Sequence, residues 1–172
     1  MRPPVRVLFV GINPGARSAA VGHHFAGYSN RFWTLLFESG LIPEAIRAED
    51  DRRLPDWGFG ITNLIARMTP GIDTLTTAEY VAGERILRRK VRRAKPAIVA
   101  FLGVTLYRAV FDVRASTRIA CGAQDTRFEG ARVFVLPNPS GRNANFSYAE
   151  MLAAFRELAS AAAGLDATGT PR

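Results

Sequence analysis

An apolar strand that ends in a sharp polar turn near the amino terminus constrains the fold more than any other feature. Residues 5–10 form a β-branched and aromatic run of strand length, and Gly-Ile-Asn-Pro-Gly follows directly at 11–15. The glycines and the proline prevent the strand from continuing, so the chain must turn there. Open α/β sheets place ligand sites at the carboxyl ends of their strands, which makes this turn a candidate site. Taken alone, the segment is equally compatible with an ordinary Pro-Gly turn.

Strand and helix patterns alternate along the rest of the chain. Strands are predicted at 5–10, 59–64, 97–102 and 132–136, and helices at 30–39, 77–94, 104–111 and 148–163. Ser147 and Glu150 form a capping box, which predicts that the last helix starts near Tyr148. This alternation predicts an α/β fold with three layers (α/β/α), in which helices cover both faces of a mainly parallel central sheet. We expect one domain over 1–163 and a small polar tail, frayed in solution, over 164–172.

The composition favours a polyanionic partner. The 172 residues include 23 Lys and Arg against 15 Asp and Glu, a net charge of +8, which attracts nucleic acid or an anionic surface. A single cysteine, Cys121, excludes an intramolecular disulfide and a cluster held by four thiolates. The apolar run near the amino terminus is too short for a secretory signal or a membrane span, so we expect a cytoplasmic protein.

The densest positive charge lies on the predicted helix at 77–94 and just beyond it. Two interpretations fit it: a solvated helix face, which is the default for such a run, or a surface in direct contact with DNA. We favour the solvated face. The basic residues are Arg85, Arg88, Arg89, Lys90, Arg92, Arg93 and Lys95.

A glycine-punctuated loop, which begins at Gly22 and runs into the helix predicted at 30–39, carries two histidines and a phenylalanine. His23 and His24 are adjacent, and the sequence has no further histidine or clustered cysteine to complete a metal site, so we expect hydrogen bonding within the loop. Phe25 lies among glycines and histidines, where an aromatic face can be left free to stack on a ligand, and we expect such a loop aromatic to carry no core packing. Helical spacing predicts core packing for the four apolar residues that follow: Phe32, Trp33, Leu36 and Phe37.

Four segments in a fixed order resemble one known family. Gly-Ile-Asn-Pro-Gly at 11–15, Gly-His-His-Phe-Ala-Gly at 22–27 leading into Asn-Arg-Phe-Trp at 30–33, Gly-Ile-Thr-Asn at 60–63 and Asn-Pro-Ser-Gly-Arg at 138–142 are similar to the mismatch-specific uracil-DNA glycosylases and thymine-DNA glycosylases. The similarity extends from about residue 5 to about residue 158. Walker, dinucleotide-binding and Gly-x-Ser-x-Gly motifs are missing from the sequence.

The resemblance implies roles for residues in the first three segments. Asn13 corresponds to the family's catalytic asparagine, whose amide oxygen holds a water beneath the anomeric carbon of the sugar. Phe25 would stack on the flipped base, and the backbone N–H groups of Ile12 and Phe25 would bind its oxygens. Asn63 suits the pyrimidine edge because an amide both donates and accepts. The resemblance also assigns Ser18 and His24 to the base pocket.

The last segment corresponds to the family's insertion loop, which enters the minor groove and fills the space left by the flipped nucleotide. Arg142 occupies the wedge position, as in thymine-type members, whereas Ser18 matches uracil-type members better. Asp73 is a carboxylate that either assists the water or caps a turn, and we favour the turn. The loop residues are Asn138, Pro139, Ser140, Gly141, Arg142 and Asn143.

The resemblance implies a monofunctional repair enzyme that cuts the bond between a damaged or mismatched base and deoxyribose, without metal or organic cofactor. Its expected partner is double-stranded DNA that contains G·U or G·T mispairs. We further expect a monomer that is associated with the nucleoid. The sequence does not rank uracil, thymine, etheno-cytosine and hypoxanthine as substrates. Two other functions share the basic charge: a non-catalytic module that binds mismatched DNA, and an RNA-binding α/β domain.

Overall fold

The fold is built on a five-stranded sheet, as shown by a computed structural model that describes residues 4–69 and 72–165. The strand order is β2-β1-β3-β5-β4; β4 runs antiparallel to β5, and the other neighbouring pairs are parallel. This confirms the predicted α/β fold with a mainly parallel sheet. The strands are β1 (Val7–Gly11), β2 (Phe59–Asn63), β3 (Ile98–Leu102), β4 (Gly122–Phe128) and β5 (Ala131–Leu136).

Three long helices have the bounds that the apolar periodicity predicts. The Ser147–Glu150 capping box is present at the start of the last one. The second helix begins two residues later than predicted, and Phe37 on it is 42% exposed, so its assignment to the core is wrong. The helices are α1 (Ala16–Val21), α2 (Phe32–Glu38), α3 (Thr77–Ala94), α4 (Val104–Phe111) and α5 (Tyr148–Ala163), with 3₁₀ segments at Ala48–Trp57 and Ile72–Thr74.

Two hydrophobic cores lie on opposite faces of the sheet. Successive strand side chains alternate between faces, so Val7 and Phe9 pack with α2 and α5, while Leu8 and Val10 pack with α3 and α4. The central strands are buried on both sides, which explains their continuous apolar sequences. The strand ends are therefore the part of the sheet that solvent can reach, and the turns after β1, β2, β3 and β5 lie together there.

Helix α1, strand β4 and both 3₁₀ segments were not predicted, because their sequences lack a periodic apolar pattern. Helix α1 has no buried residue, and β4 is an edge strand with alternately exposed polar side chains. Glu129 and Gly130, both with positive φ, close the tight turn between β4 and β5. The 3₁₀ segment Ala48–Trp57 buries only Ala48 and Leu54.

The packed part of the chain extends past the end of α5. Leu165 is only 3% exposed and joins the core beside α2 and α5. The remainder of the predicted tail, 166–172, lies outside the described residues. Within 4–69 and 72–165, no helix combines the length and apolar character needed to cross a bilayer.

Candidate active site

A cleft of about 1250 Å³ opens at the carboxyl ends of the parallel strands. Its volume exceeds the roughly 300–1000 Å³ of a typical small-molecule site, so it can hold a nucleotide together with part of its strand. The structure brings almost every predicted site residue into its wall; Pro139 is the exception. The predicted residues that line it are Ile12, Asn13, Ser18, His24, Phe25, Asn63, Asp73, Asn138, Ser140, Gly141, Arg142 and Asn143.

Asn13 is held in one orientation by two hydrogen bonds. Its amide nitrogen donates to Thr69 Oγ1 at 2.8 Å and to the Arg67 carbonyl oxygen at 3.2 Å. Both amide hydrogens are therefore engaged, which leaves the amide oxygen as the group able to accept from a ligand or water. Thr69 is 5% exposed, so this support lies inside the protein.

The segment that orients Asn13 is itself tied to the start of α3. The Arg67 guanidinium donates to the Glu79 carboxylate at 2.7 and 3.1 Å, and Glu79 also closes a capping box with Thr76. The hydrogen bonds from Arg67 and Thr76 lower the pKa of Glu79 to about 2. Glu79 thus stays ionised at neutral pH. The Thr-x-x-Glu spacing at 76–79 is a sequence signal for this cap, whereas nothing local in the sequence indicates the bond from Arg67.

Phe25, from the loop before α2, and Asn63, the last residue of β2, both lie against the end of β1. A Cβ placed on Gly11 would lie 2.6 Å from Asn63 Oδ1 and 3.3 Å from two carbons of the Phe25 ring. The missing side chain at Gly11 therefore lets both groups close in over the end of β1. Among the described residues, the side-chain amide of Asn63 has no hydrogen-bond partner, so its donor and its acceptor are both available.

The Phe25 ring contacts the core as well as the cleft. Its centroid lies 4.4 Å from that of Phe32 with a 38° tilt, and the residue is half-buried. The sequence-based expectation that a loop aromatic carries no core packing is therefore wrong. Phe32 supports the ring from behind, which fixes the plane that Phe25 offers to a ligand.

The backbone around Phe25 is fixed on both sides. Phe25 has a φ of 51°, in the left-handed region that costs non-glycine residues about 1 kcal/mol or more. The His24 carbonyl accepts from Trp33 Nε1 at 3.1 Å, and Ser18 Oγ accepts from the Ala26 N–H at 3.0 Å. Within the described part of the chain, the N–H groups of Ile12 and Phe25 donate to no protein acceptor. Both remain available to a ligand in the cleft.

Asp51 anchors the histidine pair from the 3₁₀ segment Ala48–Trp57. It accepts from the His24 N–H at 3.2 Å, and its oxygens lie 3.3 and 3.2 Å from Nδ1 of His23 and of His24. Burial raises the pKa of Asp51, but the hydrogen bonds from His24 and His23 outweigh it and leave that pKa lowered. The histidines thus bind a partner outside their own loop, which corrects the expectation of contacts within it. Sequence reasoning missed Asp51.

The predicted insertion loop, residues 138–143, is stiffened by its own hydrogen bonds. Asn138 Oδ1 accepts from the Ser140 N–H at 3.0 Å, and Asn143 Nδ2 donates to the Asn138 carbonyl at 2.9 Å. The buried Pro139 is placed by its carbonyl, which accepts from the Arg31 N–H at 2.9 Å. Arg142 is exposed at the tip, where its guanidinium has no partner among the described residues.

Asp73 and Lys90 are two further charged residues of the cleft wall, which Arg17 also lines. Asp73, on the 3₁₀ segment Ile72–Thr74, is exposed in the wall. Lys90 of α3, which the sequence analysis assigned to a solvated face, instead reaches the cleft and donates to Thr62 Oγ1 at 2.8 Å. Five of the other cations in that run are exposed as expected: Arg85, Arg89, Arg92, Arg93 and Lys95.

Comparison with known families agrees with this geometry. Residues 1–159 match the family model described as the uracil DNA glycosylase superfamily. The match spans nearly the whole chain and includes every strand and all of the cleft. The chain therefore belongs to the uracil DNA glycosylase superfamily, whose members are DNA N-glycosylases of base excision repair.

Proposed function

We propose that this chain is a monofunctional, mismatch-specific glycosylase that excises uracil opposite guanine from double-stranded DNA and leaves an abasic site. The observation that carries the proposal is the orientation of Asn13, whose amide hydrogens are both engaged by Thr69 and Arg67. The amide oxygen is then the acceptor for a water beneath the sugar. The net charge of +8 supports a DNA partner.

Asn13 positions the water without acting as a strong base. An amide oxygen cannot take a proton from water at neutral pH, so its contribution is orientation. A transition state in which the glycosidic bond is largely broken puts positive charge on the sugar and demands little of the nucleophile. Slow but adequate catalysis follows from such an arrangement.

Phe25, Asn63 and two backbone N–H groups form the proposed base pocket. Flipping a base out of the stack costs a few kcal/mol, and least for a mispair, which favours mismatched substrates. The supported ring of Phe25 would stack on the uracil, and the free amide of Asn63 would pair with its edge. The N–H groups of Ile12 and Phe25 would stabilise the negative charge that develops on the leaving base.

The residues of the insertion loop support mismatch specificity. Together with Ser18, they are compatible with more than one substrate base. Arg142 would fill the gap beside the widowed guanine, and the N–H groups of Gly141 and Asn143 would read its edge. An arginine wedge resembles thymine-type members, while Ser18 resembles uracil-type members. We therefore propose uracil as the first substrate, and thymine or etheno-cytosine opposite guanine as the alternatives to compare.

The test is base release from a defined G·U duplex under single-turnover conditions, in chelator and without added metal. The wild type should leave an abasic site that is cut only after alkali. Asn13→Ala should lose most base release yet bind the duplex nearly as well, because the side chain is assigned to the water. Asn13→Asp should retain more activity than Ala, with a pH dependence that Asn lacks, since a carboxylate also stabilises positive charge on the sugar.

Three results would contradict the proposal. Binding of G·U duplex without base release by the wild type would favour a non-catalytic module. Preferential binding of RNA would favour the RNA-binding alternative. A native rate for Asn13→Ala with a strong loss for Asp73→Asn would transfer the catalytic role to Asp73.

A further inference from the structure

Lys90 differs from the other cations of α3 in where its charge lies. It is half-buried in the cleft wall, and its ammonium donates to Thr62 Oγ1 at 2.8 Å. Thr62 is only 6% exposed and belongs to β2. The ammonium of Lys90 therefore lies beside Thr62, one residue before the end of β2, in the wall of the cleft.

The charge of Lys90 is incompletely compensated by the protein. Arg88, on the same helix, pairs with the carboxylates of Glu84 and Glu129. Lys90 pairs with no carboxylate in 4–69 or 72–165, and burial lowers its pKa. A neutral hydroxyl satisfies one of the three ammonium donors, so two remain for a ligand. Because this half-buried ammonium has no carboxylate partner, an anion that enters the cleft would stabilise its charge and form a charge-assisted hydrogen bond with it.

The position of Lys90 indicates which part of a nucleotide it would meet. Thr62 and Asn63 are successive residues of β2, so their side chains leave opposite faces of the sheet. Asn63 lies with Phe25 on the face covered by α2, whereas Lys90 and Thr62 lie on the face covered by α3. The strand ends therefore separate the ammonium from the proposed base pocket. A nucleotide whose base lies in that pocket would have its sugar and phosphates on the side of Lys90.

We propose that Lys90 is a phosphate-binding residue of the cleft, whose ammonium contacts a phosphodiester oxygen next to the nucleotide that enters it. This inference rests on the proposed function, because it assumes that DNA occupies the cleft. Lys90 would thus contact one particular phosphate, whereas the exposed arginines of α3 attract DNA only through their general positive charge.

The test measures how binding depends on salt. The probe is a G·U duplex whose uridine carries a 2′-fluorine, which slows base release so that binding can be measured. Losing one phosphate contact should lower the slope of log Kd against log salt by about 0.9, or about 3.5-fold in Kd between about 50 and 200 mM salt. Lys90→Met removes the charge but keeps an apolar stem. Arg89→Met, an exposed neighbour on α3, is the matched control for general charge.

The second arm locates the contact. Each phosphate flanking the uridine is replaced in turn by a neutral methylphosphonate. At one linkage the replacement should weaken wild-type binding about as much as Lys90→Met does, and should have no further effect in that variant. Arg89→Met should show simple additivity at every linkage. Lys90→Arg should preserve the coupling.

An unchanged salt slope with additive losses at every linkage would overturn the proposal and leave Lys90 a structural residue. If Lys90→Met melts much below the wild type, Lys90→Gln is used, because it removes the charge yet can still hydrogen-bond to Thr62.

Uracil release by the wild type distinguishes a failure of the proposed function from a failure of the Lys90 proposal. Failure to release uracil from G·U counts against the proposed function, whereas normal release without coupling counts against the Lys90 contact alone.

Discussion

Phe25 serves two purposes in this structure, and they predict different responses to substitution. Its ring packs against Phe32 at 4.4 Å on one side and lines the cleft. Deleting a fully buried phenylalanine costs about 3–5 kcal/mol. Because Phe25 is half-buried, Phe25→Ala should cost about half of that, 1.5–2.5 kcal/mol, and lower Tm by roughly 3–10 °C in a domain of this size.

The activity loss should exceed what instability explains. A stacking face is worth about 1–3 kcal/mol per base, so Phe25→Ala should slow single-turnover uracil release about 5- to 150-fold at a temperature where the variant is folded. Phe25→Leu is the informative comparison, since it keeps much of the apolar packing but has no ring. Both replacements have a Cβ, so the cost of the positive φ is nearly unchanged.

Thermal melts and uracil release are measured on the same preparations. Leu should recover most of the Tm and little of the rate. A Leu variant with the native rate would refute the stacking role, and an Ala variant with the native Tm would refute the packing role.

Two other substitutions probe the residues around the cleft. Arg142→Ala should reduce cleavage and product retention with duplex DNA but harm single-stranded substrate much less, because an inserted side chain replaces lost stacking only in a duplex; equal losses on both would reduce Arg142 to general charge. Asp51→Asn should lower stability by about 1–3 kcal/mol and slow base release through displacement of Phe25. Because the pKa of Asp51 is lowered in the folded state, its carboxylate stabilises the fold above pH ~4, and this stabilisation is lost as pH falls through the folded-state pKa. The difference in Tm between Asp51→Asn and the wild type should therefore shrink in acid. A difference that stays constant with pH would exclude the carboxylate as its source.

The sequence was sufficient for elements whose burial follows a period. Helices α3, α4 and α5 were predicted with their observed bounds because each has an apolar stripe, and the start of α5 was also marked by its capping box. Strand β4 was missed because an edge strand exposes alternate side chains and so resembles a polar loop. Helix α1 was missed because it buries nothing.

Within the site, strand ends were predictable and the supporting contacts were not. Asn13 follows β1 and Asn63 ends β2, and parallel strands bring their carboxyl ends to one edge. The bond from Asn13 to Thr69 spans 56 positions, and the bond from His24 to Asp51 spans 27. No local pattern carries such pairs, so the residues that orient the site emerged only from the fold.

Side chains at the edge of the sheet alternate between its two faces, which places the proposed base-binding and phosphate-binding groups on opposite faces. Gly11 and Asn63 are register partners of β1 and β2 and share the face on which Phe25 lies. One residue earlier in β2, Thr62 faces the opposite side and holds Lys90. Asn13 lies two residues beyond the end of β1. If the proposed base pocket and the proposed Lys90 contact both hold, a nucleotide at this edge would place its base on the face of Asn63 and a phosphate on the face of Lys90, because the pleat sends the side chains of Thr62 and Asn63 to opposite faces.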